Sequence, residues 1–213
     1  MTTVIWKPLR PPFRKHKKEM FNQVGVTADF IFHIGESDAL RKPSKEVPLD
    51  EITSEITKKK IAYLKRCMRR YRKLTGMGRG IAGVQIGIPE QIIVVYQTEK
   101  KGKLLILINP HITKESPKLL RYPEICMSAS PLIAPVVRPA WIEFEYFDEQ
   151  GQKHVWKTKD HTKLGRLSNR VFEHEIDHIR GMINIDRVAS HELIYACDPS
   201  FYDKATFEEV KKA

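Results

Sequence analysis

A chain of 213 residues, 41% of them hydrophobic, can bury the core of one domain with an extended end or of two small domains. It has no run of about 18 apolar residues, which excludes a transmembrane helix. Three cysteines (Cys67, Cys126, Cys197) are too few for a disulfide framework and favour a reducing compartment. The net charge is +11, and residues 58–73 hold nine Lys or Arg and no acid. Such a stretch indicates the solvated face of a helix, or a surface for RNA or an anionic membrane.

The N-terminal residues 1–29 are rich in proline and basic residues and show no hydrophobic period. Residues 1–18 hold six Lys or Arg and no acid. We interpret 1–29 as a basic, Pro-rich extension outside the fold, either a targeting segment or an ordered arm. Residues 30–33 predict a short strand, followed by a turn and a loop.

A strong helix is predicted from about residue 50 to residue 74, with Asp50 or Thr53 as its N-cap. Cys67 lies on this helix, and we interpret it as a small core residue. Apolar residues at steps of three to five mark the predicted buried face: Ile52, Ile56, Ile61, Leu64, Met68 and Tyr71.

The glycine-dense segment 76–89 comes next. A phosphate-binding loop needs Gly-Lys-Ser/Thr at its end, and that sequence is absent. A dinucleotide-binding motif needs a strand before it and a helix after it, whereas here the order is reversed. Both kinds of site are therefore excluded, and the segment is interpreted as a glycine-rich frame around one amide side chain, Gln85.

The middle of the chain predicts several antiparallel strands. Residues 91–96 and 104–108 form a predicted hairpin that ends at Asn109-Pro110. Further strands are predicted at residues 136–138, 141–146 and 154–158, and a short helix is predicted at residues 204–212. With a second long helix before Gly181, the order helix, sheet, helix predicts an α+β domain.

That second helix contains the pattern His-Glu-x-x-His, from His174 to His178. Residues four apart on a helix share one face, so both histidines can bind one metal ion. Glu175 lies beside them, within reach of a water on that ion, as in zinc hydrolases. The alternative is an ordinary helix with two surface histidines.

A metal site also needs a third protein ligand. Asn184 stands where the metzincin pattern places its third histidine, and nothing around Glu192 distinguishes it as a ligand. Cys126 is the better candidate, because it ends a strand-like segment and its thiolate suits both iron(II) and zinc.

Three motifs, in order, resemble those of the peptide deformylase family. Residues 78–85 (Gly-Arg-Gly-Ile-Ala-Gly-Val-Gln) are similar to its Gly-x-Gly-Leu-Ala-Ala-x-Gln. Residues 124–128 (Glu-Ile-Cys-Met-Ser) are similar to Glu-Gly-Cys-Leu-Ser, and residues 173–178 (Glu-His-Glu-Ile-Asp-His) to Gln-His-Glu-x-Asp-His. The resemblance covers residues 30–190, which we interpret as the catalytic domain, with a C-terminal tail at 191–213. It implies a fold with an N-terminal helix, antiparallel sheets and a central C-terminal metal-binding helix.

The resemblance also implies an activity, which is removal of the N-formyl group from the N-terminal methionine of newly made polypeptides, with release of formate. It implies iron(II) as the metal, with Zn²⁺, Ni²⁺ or Co²⁺ as substitutes. The implied metal ligands are Cys126, His174 and His178, the general base is Glu175, and the oxyanion donors are the Gln85 amide and the Met127 N–H. The implied substrate contacts are Arg79, Gly80, Glu124, Leu167 and Val171. The groups implied to surround the metal ligands are Asp177, Arg138 and Glu173; Arg138 pairs with Glu124 to brace the cysteine loop, and Asp177 orients a ligand or is simply a solvated acid.

Three residues depart from the family pattern. Ile125 replaces the glycine before the cysteine, Glu173 replaces the glutamine before the first histidine, and Ile133 stands where the family has an arginine that holds the peptide. Because the ligands and the base are kept, an active enzyme is favoured over an impaired, metal-binding deformylase-like protein. Two other classes stay open, an unrelated HExxH metalloprotease and a basic module at ribosomal RNA. The latter would close a structural metal site with a fourth ligand such as His33, His161 or Cys197.

The expected partners are formylmethionyl nascent peptides and, through the basic patches, the ribosome surface. The sequence selects no oligomeric state. The basic N-terminus and the divergent motifs favour a mitochondrial or other organellar protein, with the cytoplasm as the alternative for a bacterial one.

Overall fold

Two long helices and nine strands make up the fold. The computed structural model describes residues 30–97, 102–157, 162–195 and 205–210. The helices are α1 (Glu55–Thr75) and α2 (Lys163–Ile179). The strands are β1 (Gly80–Ala82), β2 (Ile92–Tyr96), β3 (Leu104–Glu115), β4 (Leu119–Ile125), β5 (Leu132–Pro139), β6 (Ile142–Phe147), β7 (Lys153–Lys157), β8 (Ile194–Tyr195) and β9 (Glu208–Val210). The predicted α+β class is confirmed.

Helix α1 begins later than predicted. Ser54 is its N-cap, and the Ser54 side chain accepts a hydrogen bond from the N–H of Thr57. Residues Leu49–Glu51 form a separate 3₁₀ turn. Ile52 is therefore buried ahead of the helix, while Ile56 is 67% exposed and its predicted place on the buried face is wrong. Gly76 ends the helix in the left-handed conformation, as is common for a C-terminal glycine.

A five-stranded antiparallel sheet has the order β1-β2-β3-β6-β7. The predicted hairpin of β2 and β3 is confirmed, with its tip at residues 98–101 outside the described part of the chain. Strand β3 continues seven residues past its predicted end at Ile108. Asn109 adopts a φ of 51° and the register shifts there, so Asn109-Pro110 makes an irregularity within the strand rather than its end.

A second, four-stranded sheet has the order β8-β5-β4-β9. Strand β4 leads directly to Cys126, and β5 returns beside it. The predicted helix at 204–212 is wrong in its described part, where residues 208–210 pair with β4. The predicted strand at residues 30–33 is also wrong, because these residues form a turn and a loop. The N–H of Phe32 donates to the carbonyl of Gln85, and Ile34, the next residue after this segment, donates to the carbonyl of Ser128.

The two helices cover opposite faces of the five-stranded sheet. Side chains of a strand alternate between the faces. One set packs with α1, including Ile81, Ile92 and Val94. The other set packs with Phe172 and Ile176 of α2. Helix α2 thus lies between this sheet and the cysteine at the end of β4. No helix in the described ranges is long and apolar enough to cross a membrane.

Candidate metal centre and active site

The three predicted metal ligands come together. One ligand atom from each of Cys126, His174 and His178 lies within 4.8 Å of the others. Sγ of Cys126 is 3.2 Å from Nε2 of His178. The cysteine comes from the end of β4 and the histidines from adjacent turns of α2, so the site exists only because strand and helix meet.

The donor set fits a divalent ion. Nδ1 of His174 is 3.0 Å from Oε2 of Glu124, which leaves Nε2 as the nitrogen that faces the centre. Burial alone would raise the pKa of the Cys126 thiol, but His178 and His174 hold that pKa well below its usual value. Burial would lower the pKa of His174, whereas Cys126 and Glu124 hold it well above its usual value. A thiolate and two imidazoles are the ligands that zinc and iron(II) prefer.

Among the described residues, no fourth protein ligand is found near this group. Within the described ranges, only Cys126, His174 and His178 form a cluster of potential metal ligands. His33 is not part of it, and His161 and Cys197 lie outside the described residues. Three protein ligands and an open position are typical of a catalytic site rather than a structural one.

Glu175 lies beside the ligands as a buried carboxyl group. Its Oε2 atom has no hydrogen-bond partner among the described residues. Burial raises its pKa to about 7, and His174 and His178 oppose that rise. A carboxyl group with a pKa near neutrality can both accept and return a proton, which is the requirement for a general base.

Gly80 explains how Glu175 fits. A Cβ atom built on Gly80 would lie 2.6 Å from Oε1 of Glu175. Any other amino acid at position 80 would displace the Glu175 carboxylate. Gly80, predicted as a substrate contact, thus also lies directly against the candidate base.

Gln85 is oriented by its neighbours. Its Oε1 accepts a hydrogen bond from the N–H of Ala82 at 2.9 Å. Its Nε2 therefore faces the cysteine loop, where it donates to Oγ of Ser128 at 3.0 Å and lies 3.8 Å from Sγ of Cys126. The amide donor predicted from the sequence is within reach of the metal centre.

A network of buried charges braces the ligands. Arg138 donates to both carboxylate oxygens of Glu124, at 2.8 and 2.9 Å, and to Asp177 at 2.6 Å. Arg170 donates to Oε1 of Glu124 at 3.1 Å, and Arg187 pairs with Asp177. Burial opposes the ionisation of Glu124, yet Arg138, His174 and Arg170 hold its pKa well below the usual value.

These contacts bear on the predicted roles of two residues. Glu124 is predicted both as a substrate contact and as a brace of the cysteine loop, and Asp177 either orients a ligand or is a solvated acid. The Glu124 carboxylate is enclosed by Arg138, Arg170 and His174, which is the arrangement of a bracing group. Asp177 is 2% exposed, so the alternative of a solvated helix acid is wrong. Its pKa is below the usual value, because Arg187 and Arg138 outweigh the effect of burial.

Glu173 is buried and neutral at pH 7. Burial raises its pKa to about 8, against the opposing effect of Arg138 and Arg170. Oε2 of Glu173 accepts a hydrogen bond from Nδ2 of Asn169 at 2.6 Å. A protonated carboxyl group resembles the amide of the family's glutamine in charge.

The other two departures from the family pattern, Ile125 and Ile133, lie on regular strand positions. Ile125 is the last residue of β4 and pairs with Ile133 of β5. Its backbone is extended, a conformation that suits a β-branched residue. Ile133 is fully buried and pairs with Ile194 of β8, so this position carries an apolar core residue and no cation.

The remaining predicted residues surround the centre. Met127 follows Cys126 directly and is buried. Leu167 and Val171 are half-buried, about two turns and one turn before His174 on α2. Arg79 precedes β1, is exposed, and interacts electrostatically with Tyr122 of β4.

Some contributors were not predicted from the sequence, although weak signals existed. Arg170 is one helical turn before His174 and therefore shares its face. Asn169 is likewise one turn before Glu173. No local pattern marks Arg187, which pairs with Asp177 ten residues earlier, or Phe207, which contacts the distant Tyr122.

Comparisons with known proteins agree with this geometry. A family model described as polypeptide deformylase matches residues 30–193. A peptide deformylase from Prochlorococcus marinus (strain MIT 9312) is 31% identical over 80% of this chain and 78% of its own length.

Solved structures are also similar. A probable peptide deformylase from Synechococcus phage S-SSM7 has a TM-score of 0.61 at 31% identity, covering 74% of this chain and 98% of the phage chain. A peptide deformylase from Synechococcus elongatus in complex with actinonin has a TM-score of 0.59 at 30% identity, covering 75% of this chain and 80% of that one.

Proposed function

This chain belongs to the polypeptide deformylase family, and on that premise we propose that its centre removes the N-formyl group from the N-terminal methionine of newly made polypeptides. The buried, unpaired Oε2 of Glu175 beside three clustered ligand atoms is the observation that carries this proposal. A base with a pKa of about 7 at an open metal site suits hydrolysis of an amide.

We propose that Cys126, His174 and His178 hold iron(II), with Zn²⁺, Ni²⁺ or Co²⁺ able to replace it. A bound divalent ion polarises a carbonyl group and lowers the pKa of a nearby water. The thiolate supports a soft or borderline ion, because Mg²⁺ and Ca²⁺ prefer oxygen ligands.

Groups of the protein then transfer the proton and stabilise the negative charge that develops on the oxygen. Glu175 removes a proton from water as the oxygen of that water adds to the formyl carbon. The Nε2 of Gln85 and the N–H of Met127 donate hydrogen bonds to the oxyanion that develops. Glu175 passes the proton to the amine nitrogen as the C–N bond breaks, which yields formate and a free N-terminus.

Two strand edges that no described strand covers support a place for the peptide backbone. Strand β1 is the edge of its sheet, and β9 covers β4 only at residues 119–121. A nascent peptide would lie as an added strand between β1 and the end of β4, since extended peptides bind at such edges. Arg79, Gly80, Leu167 and Val171 flank this space.

We favour an active enzyme over an impaired one. Ile125 adopts an ordinary strand conformation, and Glu173 is uncharged at neutral pH. Only the lost arginine at Ile133 removes a substrate contact, which should raise KM more than it lowers kcat.

Formate release tests the activity. The anaerobically purified, iron(II)-loaded protein should release formate from formyl-Met-Ala-Ser, and Glu175→Gln should lower kcat/KM by about 10²- to 10⁴-fold while keeping the metal. Equal rates for the wild type and Glu175→Gln would contradict the proposal.

Metal content tests the ligands. Cys126→Ala should lose most of its bound metal, whereas Cys67→Ala, which changes a buried cysteine of α1 outside the ligand cluster, should keep it. Metal retained by Cys126→Ala at wild-type stoichiometry would rule out the ligand assignment.

We further propose that the exposed face of α1 binds ribosomal RNA. Lys59, Tyr63, Arg66, Arg70 and Lys73 follow each other at steps of four and three, so they form one stripe along the helix. None of Lys59, Arg66 and Lys73 pairs with a described acid, and the guanidinium of Arg66 lies 5.4 Å from the centre of the Tyr63 ring. Evenly spaced cations beside an aromatic ring suit a phosphate backbone.

Co-sedimentation with purified bacterial ribosomes tests this surface. The triple variant Lys59→Gln/Arg66→Gln/Lys73→Gln should bind several-fold more weakly at about 50 mM salt, with a shallower salt dependence. The matched control Lys114→Gln/Lys153→Gln/Lys157→Gln removes three cations from the five-stranded sheet. Equal losses in both variants would indicate a general charge effect.

The place of action is also a proposal. Formylmethionyl peptides arise where translation starts with formylmethionine, in bacteria and in organelles. The relatives named above are from two cyanobacteria and a Synechococcus phage. The acid-free residues 1–18 support a mitochondrial or other organellar protein, and import of a full-length fusion into mitochondria would test this.

A further inference from the structure

Residues 32–34 connect the turn that carries Gln85 with the loop that follows the metal-binding cysteine. The N–H of Phe32 donates to the carbonyl of Gln85 at 2.8 Å. Two residues later, the N–H of Ile34 donates to the carbonyl of Ser128 at 3.0 Å. The Gln85 side chain completes the connection, because its Nε2 donates to Oγ of Ser128. A closed ring of hydrogen bonds thus joins three segments that are distant in sequence.

The ring of Phe32 packs on both sides of this connection. It lies against a small buried cluster that includes Cys126 and Ala129. It also lies against the backbone of Gly87, where an added Cβ atom would be 3.5 Å from the aromatic ring. Gly87 ends the 3₁₀ turn that carries Gln85. Since close packing transmits small displacements, the position of this ring affects both the ligand loop and the turn.

The turn that presents Ile34 is held by bonds of its own. The N–H of Glu36 donates to the carbonyl of His33 at 3.0 Å, and the N–H of His33 donates to Oε2 of Glu36 at 2.7 Å. Gly35 has a φ of 85°, whereas the φ of Ile34 is negative. This is the pattern of a type II turn with Ile34 at its second position and Gly35 at its third. The turn therefore keeps its shape without the bond to Ser128.

We propose that residues 32–34 are a positioning segment, which holds the Gln85 amide in place beside the metal centre. This inference rests on the proposed deformylase function. An oxyanion donor must point at the oxygen on which charge develops, and a misplacement of about 1 Å can cost about 100-fold in rate. Phe32 fixes the Gln85 backbone, and Ile34 fixes the serine that orients the Gln85 side chain. The segment lies outside the three motifs and acts through Gln85 and Ser128.

Ile34→Pro tests the segment by removing a single N–H. Proline suits the second position of a type II turn, so the turn is kept while the Ser128 carbonyl loses its donor. The iron(II)-loaded full chain should release formate from formyl-Met-Ala-Ser with a kcat about tenfold lower, a KM within about twofold of wild type and an unchanged metal content. The matched control Ile34→Ala retains the N–H and should keep the wild-type kcat.

A second substitution acts on the Gln85 backbone. Phe32→Ala removes the aromatic ring and should also lower kcat by about tenfold. Phe147→Ala, at a partly buried phenylalanine of β6, is its control for lost stability. This pair gives the same comparison if Ile34→Pro does not fold. In the Gln85→Ala background, neither substitution should lower kcat by more than about twofold, because the group that they position is gone.

The outcomes separate the positioning role from the activity. A kcat of Ile34→Pro equal to that of Ile34→Ala, or a loss that multiplies with the loss in Gln85→Ala, would overturn the proposal. No formate from the wild type would instead contradict the deformylase function. In that case, NMR hydrogen exchange of the Gln85 side-chain amide in the zinc-loaded protein still decides. Ile34→Pro should speed this exchange several-fold relative to Ile34→Ala, and equal exchange in both would overturn the positioning role.

Discussion

The candidate base is held against a backbone position that only glycine can occupy. A Cβ atom on Gly80 would lie 2.6 Å from Oε1 of Glu175, closer than real contacts allow. Helix α2 is fixed by its packing on the sheet, so Glu175 has little room to retreat. At the scale of single residues, the reactivity of the centre depends on this close approach as much as on the ligands.

Gly80→Ala should therefore lower kcat by at least tenfold while leaving the metal content unchanged, because the added methyl group displaces the base. Formate release and metal analysis measure the two effects. The same substitution in the Glu175→Gln background should cost almost nothing further. Additive losses would show that Gly80 acts through some other group.

Glu173 should lower the free energy of unfolding at alkaline pH. Its folded pKa, raised to about 8 by burial, exceeds that of the unfolded chain. The folded state then holds a proton that the unfolded state has lost, so stability falls as pH rises from about 4 to about 8.

Glu173→Gln removes this dependence and keeps the acceptor for Asn169. Its gain in urea midpoint over the wild type should be larger at pH 8.5 than at pH 5.5. Glu209→Gln, at an exposed position, is the control. A gain that is the same at both pH values would contradict the buried, protonated state.

At the scale of elements, helix α1 depends on its cap more than on its predicted start. Ser54 satisfies the N–H of Thr57, and six buried side chains hold the helix on the sheet. The basic stripe runs along the exposed side of the helix, where Arg70 lies over the Phe30 ring. The six buried side chains and the stripe proposed to bind RNA thus lie on different sides of one helix.

Ser54→Ala should cost about 1 kcal/mol of unfolding free energy, the usual loss for an N-cap. Urea denaturation measures it, with the neighbouring Thr53→Ala as the control. Because Ser54 is at the opposite end of α1 from Tyr71, the residue of this helix that interacts with Cys126, kcat/KM should stay at the wild-type value. A similar loss in Thr53→Ala would mean that the helix is capped elsewhere.

At the scale of the whole molecule, the four-stranded sheet, α2 and the turn after α2 are joined by buried ions. Arg138 of β5 bonds with Glu124 of β4 and Asp177 of α2. Asp177 in turn binds Arg187 from the turn after the helix. Removing one partner of such a network leaves a buried charge uncompensated, so these contacts specify how the elements meet.

The molecule should unfold readily in acid. Despite their burial, the pKa values of Glu124 and Asp177 lie below those of the unfolded chain because of their arginine partners. The unfolded state then binds more protons, so their contribution is present above about pH 4 and is lost as the pH falls further.

Urea denaturation between pH 6 and pH 3 measures this loss. The unfolding free energy should fall by up to about 1.4 kcal/mol per pH unit for each group that becomes protonated on unfolding. A stability that is constant down to pH 3 would contradict the buried ion network.

The sequence predicted those parts of the fold that depend on residues close together in the chain. Hydrophobic periods located both helices and most strands of the large sheet, since these patterns follow from the chain's own geometry. The errors arose where a distant contact decides the conformation. Ile56 follows a helix period but faces solvent, and residues 208–210 have a helical composition but extend to pair with β4.

The sequence by itself determined the chemistry of this protein, because His174, Glu175 and His178 are close in the chain and Cys126 and Gln85 lie in short motifs. Only the tertiary structure decided how those groups behave. It buried Glu175 against Gly80 and protonated Glu173 beside Asn169, and both effects arise from burial and neighbours that no local pattern encodes. The placement of Phe207 against Tyr122 was decided in the same way, since strand pairing joins residues 85 positions apart.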